Sequence, residues 1–211
     1  MKVFALLCSG IAIASAASAD GVTAVTMPVT PAAAPAPASA DWGGFYLGGS
    51  YVFGRDSVDD FQNGGFVGGP FIFEGSSIGG FAGYNIQRGN FVLGGEVAYT
   101  AGPTTLEVDG DTYSDFFDLK GRIGYAMNRV MVYGVVGWST ATRNETTTAT
   151  ATSGSGFSYG AGVDVLVTDR IFVGVEYLTR QLNGDYDQFY YSGYAFENAS
   201  RAISLRAGFS F

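Results

Sequence analysis

Eight charged side chains are the residues here whose type and spacing point most directly to chemistry. They are Glu96, Asp118, Lys120, Arg122, Asp164, Glu176, Arg180 and Arg206. Each lies in a stretch where apolar residues alternate with small or polar ones, and each falls on the polar parity. Four are basic and four are acidic. Turned toward lipid, an Arg or Lys at mid-bilayer costs about 2–4 kcal/mol. Turned inward, these groups still need compensation. The chemistry they offer is therefore ion pairing. Antiparallel pairing about a loop centred near residue 191 brings Glu176 toward Arg206, because the two are equidistant from it. An earlier connection likewise brings Glu96 toward Lys120 and Arg122. The pattern predicts an ionic plug across the middle of a closed sheet. The alternative is a charged wall lining a thin pore.

Catalytic motifs are weaker. Gly156-Phe157-Ser158-Tyr159-Gly160 has the G-x-S-x-G form of a hydrolase elbow. That elbow needs a strand-to-helix turn and a histidine base. Ser158 sits in an alternating run, and the chain has no histidine. Gly64-Gly65-Phe66-Val67-Gly68-Gly69-Pro70 is glycine-rich but lacks the terminal Lys or Arg and the following helix of a phosphate loop. Asp109, Asp111 and Asp115 stand at alternate positions. A calcium loop of the helix-loop-helix kind wants Gly sixth and Glu twelfth, and Ser114 and Lys120 stand there. This stretch reads as a solvated acidic loop, with weak divalent-cation binding as the alternative. No catalytic residue, metal site or cofactor is expected.

The elements that position the charges are strands. Eight runs alternate with period 2: about Gly44–Phe53, Ser77–Gln87, Asn90–Thr100, Asp115–Met127, Val130–Ala141, Gly156–Val167, Ile171–Leu182 and Ser200–Phe211. Each is near the roughly 9–11 residues of a membrane strand. The last is the clearest, with Ile203, Leu205, Ala207, Phe209 and Phe211 on one parity. An edge so apolar is an aggregation hazard in water and makes sense in a closed sheet facing lipid. The fifth alternates worst, since Met131, Tyr133 and Val135 are also apolar. Connections alternate between long (54–76, 101–114, 142–155, 183–199) and short (88–89, 128–129, 168–170).

Composition agrees with this class. Of 211 residues only 14% are charged, against about 25% for soluble domains, and 32 are Gly. The net charge of −8 argues against nucleic acid as a partner. Lys2, the apolar run Val3–Ala14 and Ala17-Ser18-Ala19 form a secretory signal, so residues 1–19 are expected to be removed. Cys8, the only cysteine, would go with them. Residues 20–40 are rich in Ala and Pro and read as an extended arm. Residues 41–211 carry the strands.

Asp41-Trp42-Gly43-Gly44-Phe45-Tyr46-Leu47-Gly48-Gly49 after a Pro/Ala-rich arm, with Leu205-Arg206-Ala207-Gly208-Phe209-Ser210-Phe211 at the other end, resembles the small OmpA-like and opacity-type outer-membrane β-barrel family. The resemblance covers residues 41–211. It implies an all-β fold, an eight-stranded antiparallel up-and-down transmembrane barrel in the bacterial outer membrane. It also implies recognition by the barrel-assembly machinery through Phe211. Full OmpA has a further, peptidoglycan-binding domain; nothing follows Phe211, so a stable link to the cell wall is not expected. The resemblance leaves two functional readings: a structural and surface-interaction barrel, or a narrow porin-like channel for small solutes. A lipid-modifying enzyme is disfavoured, because the small barrels of that kind use a histidine.

Turns are expected in the periplasm and loops outside. Residues 54–76, 101–115 and 183–199 hold one arginine, Arg55, against eleven carboxylates. The short turns hold Arg88, Arg129 and Arg170 against Asp169. An acidic outer rim near anionic lipopolysaccharide, eased by divalent cations, is therefore predicted. Tyr186, Phe189, Tyr190, Tyr191 and Tyr194 are the candidates for an exposed contact surface. Their alternative is a hairpin packing its own rings. Tyr51, Phe53, Tyr99, Trp138, Phe157 and Tyr177 are expected to mark the outer membrane interface. Phe45, Tyr84, Phe91, Tyr125, Phe209 and Phe211 are expected to mark the inner one.

Overall fold

A computed structural model describes residues 40–102, 104–105, 112–145, 150–186 and 192–211. The expected signal peptide and all of the arm but Ala40 lie outside the described residues. Eight long strands run through the described chain: β1 Gly44–Gln62, β2 Gly65–Arg88, β3 Phe91–Ala101, β4 Thr112–Met127, β5 Val130–Glu145, β6 Thr150–Leu166, β7 Ile171–Asp185 and β8 Tyr194–Ser210. Each pairs antiparallel with the next, and β8 pairs with β1 to close the ring. A two-residue strand, Thr104–Thr105, bridges β2 and β4 beyond the end of β3.

Closure removes the sheet edges along the apolar height of the wall. The outer face there is a belt of exposed apolar side chains. On β1 it runs from Phe45 to Phe53, on β3 from Phe91 to Tyr99, on β4 from Phe117 to Tyr125. Nine residues at about 3.3 Å each, tilted by about 40°, give roughly 20 Å of height, close to the apolar band of a membrane barrel. The belt ends sharply. One outward position beyond Phe53, Ile78, Trp138, Phe157, Tyr177 and Ile203 stand Arg55, Ser76, Thr140, Ser155, Thr179 and Arg201. The rings expected at each interface occupy these two ends, with Phe45 packed on Tyr84 and Phe91 on Tyr125.

The lumen is filled at three levels. At the end with the short turns, Trp42, Tyr46, Phe81, Val92, Met131, Tyr133, Leu166 and Phe172 form an apolar core. At the far end Val58, Phe73, Tyr113, Phe116, Ala141, Leu182, Tyr186 and Phe196 form another. The charged residues lie between. Small residues on the inner parity make room for these side chains. A Cβ on Gly162 would stand 2.5 Å from the Tyr133 ring, and one on Gly83 would stand 2.3 Å from the Tyr46 hydroxyl.

The strands differ from expectation mainly at the far end. Residues 54–76, expected as a loop, continue β1 and β2 as a hairpin projecting beyond the belt. Its turn is Asn63-Gly64, with φ of 50° and 80°, the dipeptide and geometry of a tight two-residue hairpin turn. Within 142–155 and 183–199, residues 142–145, 150–155, 183–185 and 194–199 are likewise strand. The carboxylates of this region are therefore not all on a rim: Asp56 is fully buried. Glu107, Asp109, Asp111 and Asp187 lie outside the described residues.

Candidate functional site

The alternation turns all eight expected charges into the lumen, where each is buried. Glu96 is the hub. Its carboxylate accepts from Arg206 Nη2 at 2.6 Å, from the Tyr46 hydroxyl at 2.9 Å and from Arg122 Nη1 at 3.4 Å. It also meets Lys120 Nζ at 2.8 Å. Glu176 receives Lys120 Nζ at 2.6 Å and Arg206 Nη1 at 2.5 Å. Asp164 receives Arg122 Nη2 at 2.9 Å. Asp118 is held by both ends of the Arg180 fork, at 2.7 and 2.8 Å, and by the Ser139 hydroxyl at 2.6 Å.

Most of these contacts cross the barrel. Lys120 and Glu176 stand on β4 and β7, Arg122 and Asp164 on β4 and β6, Asp118 and Arg180 on β4 and β7. None of these strand pairs are neighbours. Among the ion pairs only Glu96 and Lys120 are direct cross-strand partners, and Ser139 likewise stands directly opposite Asp118. The bonds thus tie opposite walls together, which packing between adjacent strands cannot do.

Sequence reasoning missed the aromatic side chains that complete the network. The Arg122 guanidinium lies over the Tyr133 ring at 3.9 Å, and that of Arg206 over Phe81 at 4.1 Å. The Tyr133 hydroxyl reaches Glu176 at 3.2 Å. The broken alternation of the fifth run was the signal for Tyr133: its apolar residues on the polar parity are lumen residues. Two small spaces border the network, of about 20 Å³ beside Glu96, Lys120 and Arg206 and about 10 Å³ beside Arg180 and Asp56. Each is close to the room one water needs.

The far-end aromatics depart from expectation. Tyr186 is buried rather than exposed. Its hydroxyl donates to Asp60 at 2.6 Å and accepts from Arg143. Tyr194 is half-buried against the same core. The reason is that β7 and β8 continue upward and turn these positions inward. Phe189, Tyr190 and Tyr191 lie outside the described residues. Exposed apolar side chains beyond the belt are instead Phe66, Val67 and Phe71 on the β1–β2 hairpin. Ser158 of the G-x-S-x-G stretch is buried within β6, opposite Arg180 on β7.

A ring of eight antiparallel strands with a lipid-facing belt and a filled interior defines a small outer-membrane barrel of the bacterial type. The chain matches the outer membrane protein beta-barrel domain over residues 4–211 and belongs to that family; its place is the bacterial outer membrane. It is 31% identical over 160 residues to the 22 kDa outer membrane protein of Rhizobium leguminosarum bv. viciae, a match spanning 73% of this chain and 71% of that protein. Among solved structures it resembles the outer membrane protein OprG from Pseudomonas aeruginosa, with TM-score 0.54, 13% identity, 82% of this chain and 98% of that one. It also resembles Neisserial surface protein A, with TM-score 0.47, 9% identity, and coverage of 79% and 97%. At these identities the structural likeness extends to the fold alone.

Proposed function

We propose that the protein is a structural and surface-interaction barrel whose lumen is closed by the ionic network, rather than a channel or an enzyme. The observation that carries this reading is the cross-lumen pairing of Lys120 with Glu176, of Arg206 with Glu96, of Arg122 with Asp164 and of Arg180 with Asp118. Four cations and four anions meet there with their charges balanced, and the aromatic cores above and below leave little room for hydrated solute. Such a barrel serves the envelope as a rigid post that carries its far-end hairpins outside the cell. The short turns face the periplasm, as is usual for this architecture. The contact surface toward an extracellular partner centres on Phe66, Val67 and Phe71. Exposed carboxylates at Glu74, Asp185 and Glu197, with the half-buried Asp59, keep that rim acidic. Outer-membrane lipid and lipopolysaccharide surround the belt, and the terminal strand through Phe211 is the contact for the barrel-assembly machinery. The second reading is a narrow channel, favoured only by the two water-sized spaces beside the network. Planar-bilayer recording of the purified barrel separates them: silence supports the closed post, and steady current supports the channel.

A further inference from the structure

Two arginines face each other on the outside of the barrel. Arg55 of β1 and Arg201 of β8 are direct cross-strand partners. Both point outward and both are exposed. Like charges placed directly opposite across a sheet are destabilising. Their position is defined by the belt: the pair below them is Phe53 with Ile203, each half-exposed at the belt's edge. Arg55 has one carboxylate partner, Glu74 at 2.9 Å, and that pair is itself 62% exposed on both sides. Arg201 has no carboxylate partner among the described residues; its neighbour on β7 is Thr179. The remaining outward positions at this level on β2, β3, β5 and β6 are Ser76, Ala101, Thr140 and Ser155. On β4, across the ring from β8, stands Asp115, which accepts from the Tyr99 hydroxyl. The level therefore holds a single cationic spot, carrying two guanidinium groups against one carboxylate.

We propose that Arg55 and Arg201 form a binding site for the phosphate of a phosphorylated lipid in the leaflet at the far end of the belt. The chemistry fits in three ways. Guanidinium groups take phosphate oxygens in paired, charge-assisted hydrogen bonds. An arginine stem is long enough to lie along an apolar wall while its charged end reaches headgroup level. A phosphate between the two arginines also removes their mutual repulsion, with the Thr179 hydroxyl beside Arg201 as a further donor. Asp59 and Glu197 are the next charged cross-strand pair, two outward positions further from the belt. They set an upper limit to where an anion can sit, so the ligand is held down at the belt edge. This deepens the lipid contact proposed above and is independent of whether the lumen is closed.

The test uses the folded full barrel in nanodiscs of zwitterionic phospholipid, doped with lipid A or with chemically dephosphorylated lipid A. Binding is read by native mass spectrometry. The wild type is expected to retain lipid A and to lose most of it when the phosphates are removed. The double variant R55Q/R201Q is expected to bind about ten-fold more weakly. The variant R88Q/R170Q, altered at the short turns, is expected to bind like the wild type. Heat-modified gel migration confirms that each variant is folded, and R201K is expected to keep part of the binding. Equal retention by R55Q/R201Q overturns the proposal. So does equal retention of dephosphorylated lipid A. Displacement of lipid A by millimolar inorganic phosphate would mark a general anion spot and overturn the lipid assignment. The network variants discussed below are expected to bind lipid A normally, which separates this site from the lumen.

Discussion

Glu176 and Arg206 are not opposite each other in the sheet, yet their side chains meet. In the β7–β8 register Glu176 pairs with Ser204 and Arg206 pairs with Gly174. The contact of 2.5 Å is diagonal, made possible by the length of the arginine. The same guanidinium continues across the lumen to Glu96. One side chain thus links β8 to β7 and to β3.

Arg206→Ala removes the shared partner of two buried carboxylates. Breaking a buried ionic network by deleting one member costs about 3–5 kcal/mol. We expect that loss in equilibrium urea unfolding of the refolded barrel, with part of it recovered in Arg206→Ala/Glu176→Gln. A loss below about 1 kcal/mol would place the pair among weak surface bridges.

Two glycines on opposite faces of the wall should behave oppositely. A Cβ on Gly162 meets the Tyr133 ring at 2.5 Å, whereas the nearest atom to a Cβ on Gly134 is 3.9 Å away. Gly162→Ala is expected to destabilise by about 1–3 kcal/mol through overpacking. Gly134→Ala should leave the unfolding midpoint within experimental scatter. Equal costs at the two sites would contradict the inward orientation of Tyr133.

The far-end core carries a pH dependence. Burial raises the Tyr113 and Tyr186 phenols above their ordinary value of 10.0, with Arg143 opposing and Asp60 adding to the shift. The unfolded chain releases these protons at about pH 10, while the folded one keeps them. Their contribution is therefore fully present below pH 10 and falls as the pH rises beyond it. Between pH 9 and about 11 the urea midpoint should drop more steeply in the wild type than in Tyr113→Phe/Tyr186→Phe. Parallel slopes would show that the two phenols ionise equally well in the folded barrel.

Much of the barrel was legible because its solvent is simple. Lipid outside and packed side chains inside impose strict alternation, so Glu96, Asp118, Arg122 and Arg206 announced their direction by parity alone. Direct pairing was legible too, as with Glu96 and Lys120. Contacts across the lumen were not, since Asp118 with Arg180 and Arg122 with Asp164 depend on ring closure and stagger rather than on hairpin arithmetic. The projecting hairpin was hidden for a different reason. Between Gly54 and Ser76 the glycines and acids resemble a loop, and only Asn63-Gly64 signals a turn between two strands. For Tyr186 the sequence leaves exposure and self-packing open. The packed alternative holds because its neighbourhood continues as strand beyond the membrane, where burial no longer follows lipid-facing parity.

Single-channel recording in planar bilayers tests the closed lumen most directly. The account predicts no sustained conductance from the wild-type barrel, and brief or steady openings once Arg206→Ala or Glu176→Ala removes a cross-lumen contact. A sustained wild-type conductance, unchanged in both variants, would contradict it and establish the channel.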